Sequence, residues 1–93
     1  MTNAEIAFIF SDIAAKLRLK KDNIFKIRAY EKAARSISEL KEPVANLAAE
    51  GRLKEIEGAG EAIIKKLTEI VETGKLEFYE KLKAEFPQRT PAQ

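Results

Sequence analysis

The chain has neither cysteine nor histidine among its 93 residues. Without thiols there is no disulfide framework, thiolate nucleophile or cysteine-bound zinc, and without imidazole the commonest general base and metal ligand is gone. Any catalysis must therefore run on Lys, Tyr, Asp, Glu, Ser or Thr. No stretch approaches the roughly 18 consecutive apolar residues of a bilayer-spanning helix, and the N-terminus lacks the basic start and apolar core of a secretory signal. The expected location is the cytoplasm, with no membrane partner.

What is present suits one compact unit. A hydrophobic content of 45% beside 34% charged residues fits a folded chain with a well-solvated surface. Its length allows one modest core and no second domain. The net charge of +2 is small but unevenly spread: residues 16–35 hold eight basic side chains against Asp22 and Glu31. A single basic segment stands out.

Between two helical apolar patterns lies Leu53-Lys54-Glu55-Ile56-Glu57-Gly58-Ala59-Gly60. Two glycines split by one small residue let the backbone turn sharply, and a helix opening at Gly60 points unpaired N–H groups outward, where an anion is welcome. Leu53 and Ile56 before the turn, and Ile63, Leu67, Ile70 and Val71 after it, predict two helices packed across the elbow. The spacing resembles the helix-hairpin-helix motif, which grips a nucleic-acid backbone without reading its sequence.

The remaining pattern is helical throughout. Thr2 with Glu5 has capping-box spacing, and Ile6, Ile9, Phe10, Ile13 and Leu17 then share a face that leaves Phe8 on the other side. A second helix is predicted from Ile24 to Leu40 with Ile27, Tyr30, Ala34 and Ile37 inward. Pro43 suits the first turn of a short third helix that Gly51 ends. The hairpin helices are predicted near Leu53–Ile56 and Gly60–Thr73, capped by Gly74, and a last helix near Leu76–Phe86. The expected fold is an all-α bundle of four to six short helices, over residues 1–86, with a flexible C-terminal tail over 87–93.

The second helix and the hairpin together resemble the N-terminal domain of X-family DNA polymerases, the small helical module of DNA polymerase beta and its relatives. The matching pieces are Asn23-Ile24-Phe25-Lys26-Ile27-Arg28-Ala29-Tyr30-Glu31-Lys32-Ala33-Ala34, the hairpin Leu53 to Gly60, and Glu69-Ile70-Val71-Glu72-Thr73-Gly74-Lys75-Leu76. The resemblance implies a module that binds gapped, nicked or single-stranded DNA at the 5′-phosphate side. In some members it also removes a 5′-deoxyribose phosphate by β-elimination through a lysine Schiff base. By position that lysine is Lys66, with Lys26 as a phosphate-contacting cation and Tyr30 nearby. The family's hairpin also holds a monovalent cation, Na⁺ or K⁺, on backbone carbonyls, here those of Lys54, Ile56 and Ala59; no other cofactor is implied. The partner is DNA at the nucleoid, with a protein partner or a covalent continuation into a polymerase as further expectations.

The sequence departs from that pattern at several positions. A lysine that assists phosphate binding in lyase-active members is Ala62 here, their histidine is Phe25, and the usual proline before the first hairpin glycine is Glu57. Glu61 adds a carboxylate at the helix start. Both acids oppose an anionic guest and predict weaker affinity. Ile64 stands where a hairpin alanine is expected, which predicts wider packing of the hairpin helices.

Two readings of Lys66 stand side by side. On a helical wheel it lies about 100° from the centre of the Ile63-Leu67-Ile70 stripe, so its amine is either partly desolvated, as a Schiff-base lysine requires, or carried into water on its stem. Lys26 and Tyr30 both fall near the apolar side of their helix, as a site or as a snorkelling lysine beside a core tyrosine. Lys65, between Glu61 and Glu69, reads as a solvated ion-paired residue. Arg28, Lys32 and Arg35 with Lys20 and Lys21 form a basic stripe suited to a phosphate strand. No polymerase triad of acids or triphosphate-binding loop is present. Three functions follow: a non-sequence-specific DNA module using Lys26, Gly58, Ala59, Gly60, Lys65, Lys66 and Lys75; a lyase acting through Lys66; and a protein-interaction module that has lost DNA binding, motivated by Glu57, Glu61 and Phe8.

Overall fold

The computed structural model describes residues 1–86. Five α-helices follow one another: α1 (Asn3–Leu19), α2 (Ile24–Ser38), α3 (Val44–Ala49), α4 (Glu61–Thr73) and α5 (Glu77–Ala84), with one 3₁₀ turn at Leu53–Glu55 before α4. No strand occurs among the described residues. The predicted tail over 87–93 lies outside them.

Local chemistry sets most boundaries. The Thr2 hydroxyl accepts the Glu5 N–H at 3.1 Å while the Thr2 N–H donates to Glu5 Oε1 at 2.7 Å, completing the predicted capping box. α1 ends where Lys21 takes a left-handed φ of 59°. Asn23 Oδ1 then accepts the Phe25 N–H at 2.8 Å and opens α2. That helix stops at Ser38, two residues short of the predicted end, where the Ser38 hydroxyl folds back to the Arg35 carbonyl at 2.7 Å. Gly74, at φ 79°, ends α4 as expected by donating to the Ile70 carbonyl at 2.8 Å. α5 is shorter than predicted, with Leu76 as its buried cap residue.

α1 and α2 form the main packed pair. Every residue assigned inward on them is buried, and Ala33 and Ala34, at 0% and 8% exposure, let the two backbones approach. Phe10 sits at the centre with its ring 5.8 Å from that of Tyr30. Among the described residues no helix is long and apolar enough to cross a membrane.

Two expectations are corrected. Leu53–Ile56 is not a helix of the hairpin: it is a 3₁₀ turn followed by extended backbone at Ile56, with φ −71° and ψ 122°. The six residues between Gly51, at φ 67°, and Gly58, at φ 84°, are too few for an α-helix with both caps, so α3 is the first hairpin helix. Leu53 and Ile56 remain buried and pin the connector to the core. Pro43 lies at the cap of α3, not in its first turn.

Having no capping side chain of its own, α3 borrows one. Asn3, at the start of α1, accepts the Val44 N–H at 2.9 Å and donates to the Glu42 carbonyl at 2.8 Å. Beyond α3, Arg52 gathers Glu55, Glu50 and Glu42 around one guanidinium, which these carboxylates hold firmly charged.

Candidate functional site

The elbow between α3 and α4 is braced from behind by α2. The Ser36 hydroxyl donates to the Glu57 carbonyl at 2.8 Å, and the Lys32 stem lies against Gly58. A Cβ at Gly58 would sit 2.8 Å from Lys32 Cγ, so this position needs glycine twice over, for its left-handed φ of 84° and for that contact. Gly60 differs. Its φ of −79° is open to any residue, and a Cβ there meets nothing within 4 Å.

Turn closure decides which amides face outward. The Ala59 N–H donates to the Ile56 carbonyl at 3.0 Å and the Gly60 N–H to the Gly58 carbonyl at 3.1 Å. The first bond of α4 runs from the Ile64 N–H to the Gly60 carbonyl at 2.9 Å. The N–H groups of Gly58, Glu61, Ala62 and Ile63 therefore have no hydrogen-bond partner among the described residues. Of the three hairpin residues read as a phosphate cradle, only Gly58 presents a spare amide; the others are those of the first turn of α4.

The two opposing acids are not equivalent. Glu57 lies 3.8 Å from Lys32, which offsets part of its charge, whereas Glu61 stands exposed in the first turn of α4. Of the carbonyls assigned to a cation, that of Ile56 accepts the Ala59 N–H and keeps one lone pair; those of Lys54 and Ala59 receive no backbone N–H among the described residues. Each of the three therefore keeps acceptor capacity.

One and a half turns into α4, Lys66 is half-buried between two rings. Its Nζ lies 4.9 Å from the centroid of Phe78 on α5 and 5.9 Å from that of Tyr30 on α2. The two rings stack with centroids 6.1 Å apart and planes 5° from parallel. Burial lowers the Lys66 pKa, the nearby Lys26 cation lowers it further, and Glu69 works against both. Lys26 is exposed and 3.8 Å from Asp22. Tyr30, 3% exposed, has its hydroxyl pushed up to about 12 by burial and by Asp22, and that hydroxyl has no hydrogen-bond partner among the described residues. Of the two readings of Lys66, the partly desolvated amine matches this geometry, and Lys26, Tyr30 and Lys66 come together.

Other candidate residues are placed apart. Lys75 follows Gly74, at the far end of the 13-residue α4 from the elbow, about 20 Å away at 1.5 Å per residue. Lys65 is exposed but pairs with no carboxylate within 4 Å among the described residues; Glu69 instead accepts the Glu77 N–H at 2.8 Å and caps α5. The basic stripe is divided, since Lys32 turns to the elbow and Lys20 pairs with Glu85. Arg28 and Arg35 stay exposed without an ion pair among the described residues. Ile64 lines a groove of about 310 Å³ with Ala48, Gly51, Leu53, Lys54 and Thr68. Phe25 is 76% exposed beside Lys26, and Phe8 is 65% exposed on α1.

Phe78 was not legible as a site residue. It lies 12 positions from Lys66, beyond the chain reversal at Gly74, and no local spacing marks it. Asp22 is legible in the sequence only as one of two acids within the basic segment.

Residues 1–76 of the chain match the family model of the helix-hairpin-helix domain. The matched span takes in α1 to α4 and ends just before α5. Such domains typically bind DNA, which points to nucleic-acid binding in general. No curated protein matches the chain.

Proposed function

The chain belongs to the helix-hairpin-helix domain family, and we propose that it is a DNA-backbone module that docks a phosphate at its elbow without reading sequence. The observation that carries this reading is the set of spare N–H groups at Gly58, Glu61, Ala62 and Ile63, with the Lys26–Lys66 cations beside the same helix α2 that braces the elbow. Backbone amides at a helix start and nearby ammonium groups are the two commonest phosphate partners. The resemblance to the N-terminal domain of X-family polymerases supports a preference for gapped DNA and its 5′-phosphate side in repair. A Na⁺ or K⁺ ion on the Lys54, Ile56 and Ala59 carbonyls belongs to the same reading.

The test is binding of the full chain to a gapped duplex as salt is raised. Each phosphate contact releases counterions, so the log–log slope is about −0.7 to −0.9 per contact. Two to four contacts give a slope between about −1.5 and −3.5. Salt-independent binding, or no amide shifts at residues 56–66 on adding DNA, would reject the reading.

A second reading is favoured by one observation, the enclosure of the Lys66 amine by Tyr30 and Phe78 with its pKa lowered. A neutral amine attacks the C1′ aldehyde of a 5′-deoxyribose phosphate and loses water to form an imine; loss of a C2′ proton then breaks the C3′–O3′ bond, the DNA strand leaves with a 5′-phosphate, and hydrolysis of the imine frees the unsaturated sugar phosphate and restores the amine. Borohydride trapping on such an end is expected to give an adduct that Lys66→Ala abolishes. An adduct that survives Lys66→Ala rejects it.

A further inference from the structure

Neighbouring residues of α5 reach to different parts of the molecule. Phe78 stacks on Tyr30 and lies over the Lys66 amine. Tyr79, about 100° further round the helix, is buried against α1, where its hydroxyl donates to Asp12 Oδ2 at 2.6 Å. Lys16 holds that carboxylate in turn, with its Nζ 3.0 and 2.9 Å from the two oxygens. The network is half-buried and joins α1 to α5.

Among the described residues, the other polar contacts of α5 with the rest of the chain lie at its ends, where Glu69 meets the Glu77 N–H and Lys20 pairs with Glu85. The helix has eight residues, buries only Tyr79 and Leu82, and has no capping side chain at Leu76. A helix this short has no stability of its own and takes its orientation from tertiary contacts. The Glu69 carboxylate at the Glu77 N–H anchors its start, but a bond at the end of the axis leaves rotation about that axis free. A directional hydrogen bond from Tyr79, off the axis and one residue from Phe78, resists such a roll.

We propose that Tyr79 and Asp12 are positioning residues for the Lys66 amine: their hydrogen bond sets the rotation of α5 that keeps Phe78 stacked on Tyr30 and over Lys66. The proposal rests on the reading of Lys66 as the working amine and says what controls its surroundings. Besides Phe78, the groups around that amine are Tyr30 and Lys26 from α2 and Glu69 from α4 itself. Among the described residues none of them shares a hydrogen bond with Tyr79, whose hydroxyl is given to Asp12, so α5 is the route by which that bond on α1 reaches the site. Rolling α5 by a fraction of a turn lifts the Phe78 ring and admits water to the ammonium. The surroundings of Lys66 then become those of an ordinary exposed lysine.

The test follows the Lys66 Cε resonance against pH in the full chain, with no DNA or aldehyde present. Wild type is compared with Phe78→Ala, Tyr79→Phe and the double variant. Both single variants are expected to move the Lys66 midpoint upward. The double variant is expected to match Phe78→Ala alone, because Tyr79 acts through the ring that is already gone. Leu82→Val, which loosens α5 without touching the hydrogen bond, is expected to leave Lys66 where it is. An unmoved midpoint in Tyr79→Phe, additive effects in the double variant, or an equal movement in Leu82→Val overturns the proposal. Should Tyr79→Phe fail to fold, Asp12→Ala removes the acceptor, keeps the Tyr79 ring and carries the same expectation. Loss of DNA binding or of trapping would count against the proposed function and leave this comparison intact.

Discussion

Gly58 and Lys32 interlock: the stem of Lys32 occupies the space a Cβ at Gly58 would need, with Cγ 2.8 Å from that position. The lysine head, 3.8 Å from Glu57, also offsets the first of the two acids at the elbow. One side chain of α2 thus shapes the turn and adjusts its charge. The two hairpin glycines consequently answer to different demands.

Gly58→Ala is expected to destabilise the fold by about 1–3 kcal/mol, from its positive φ and its contact with the Lys32 stem. Gly60→Ala is expected to leave stability within about 0.5 kcal/mol, since its backbone is extended and its surroundings empty. If Gly60 matters, it is because a guest's phosphate must come close, so Gly60→Ala should weaken DNA binding at unchanged stability. Denaturant midpoints and gapped-duplex titrations measured together separate the two.

Removing the exposed acid at the head of α4 should strengthen phosphate binding. At roughly 7 Å in water-like dielectric, one unit charge opposes another by about 0.6 kcal/mol, close to threefold. Glu61→Gln is therefore expected to raise DNA affinity about two- to threefold at low salt, with the gain shrinking as salt rises. Glu57→Gln should gain too, because it also frees Lys32. A fall in affinity for Glu61→Gln would show that the acid is not facing the DNA.

Lys66→Met is expected to raise the melting temperature near neutral pH. Burial and Lys26 lower the folded pKa of this amine below its ordinary 10.5, so the folded chain releases the proton first and stability rises with pH across that interval. Below it the charged amine is a burden that methionine removes. The same variant should lose any imine chemistry and part of the DNA affinity, the usual exchange of stability for function.

Asp12 contributes to the acid limb of the stability profile. Burial pushes its carboxyl upward, but the hydrogen bonds from Lys16 and Tyr79 outweigh that and hold it below its ordinary 3.8. A depressed carboxylate contributes stability that is complete above its unfolded value and is lost as pH falls through the folded one. Melting temperature should thus decline from about pH 4 downward, and Asp12→Asn should flatten that decline.

Asn3→Ala removes an acceptor for the Val44 N–H and a donor to the Glu42 carbonyl. Loss of a helix-start acceptor costs about 0.5–2 kcal/mol, and the second bond adds about 1 kcal/mol. Equilibrium unfolding in urea should register a total of about 1.5–3 kcal/mol. Asn3→Asp, which keeps the acceptor, should recover part of it.

The amino-acid sequence by itself determined the all-helical class, the capping box at Thr2 and Glu5, the buried faces of α1 and α2, the helix ends at Gly51 and Gly74, and the elbow. These follow from spacing within one or two turns, where capping and periodicity act on residues three or four apart. Only the tertiary structure decided which segments flank the elbow. Leu53 and Ile56 have an apolar helical spacing, yet the chain between Gly51 and Gly58 is too short to use it, and α3 takes that place.

Tertiary structure likewise decided where each charge goes. Lys65, flanked by Glu61 and Glu69 at ion-pair spacing, pairs with neither, and Glu69 caps α5 instead; Lys32 leaves its stripe for Gly58 and Glu57. Phe78 reaches Lys66 only because the chain reverses at Gly74, and Tyr79 reaches Asp12 across 67 residues. Such contacts join residues far apart in the chain. Their partners are selected by how whole helices pack, which no local run of residues encodes.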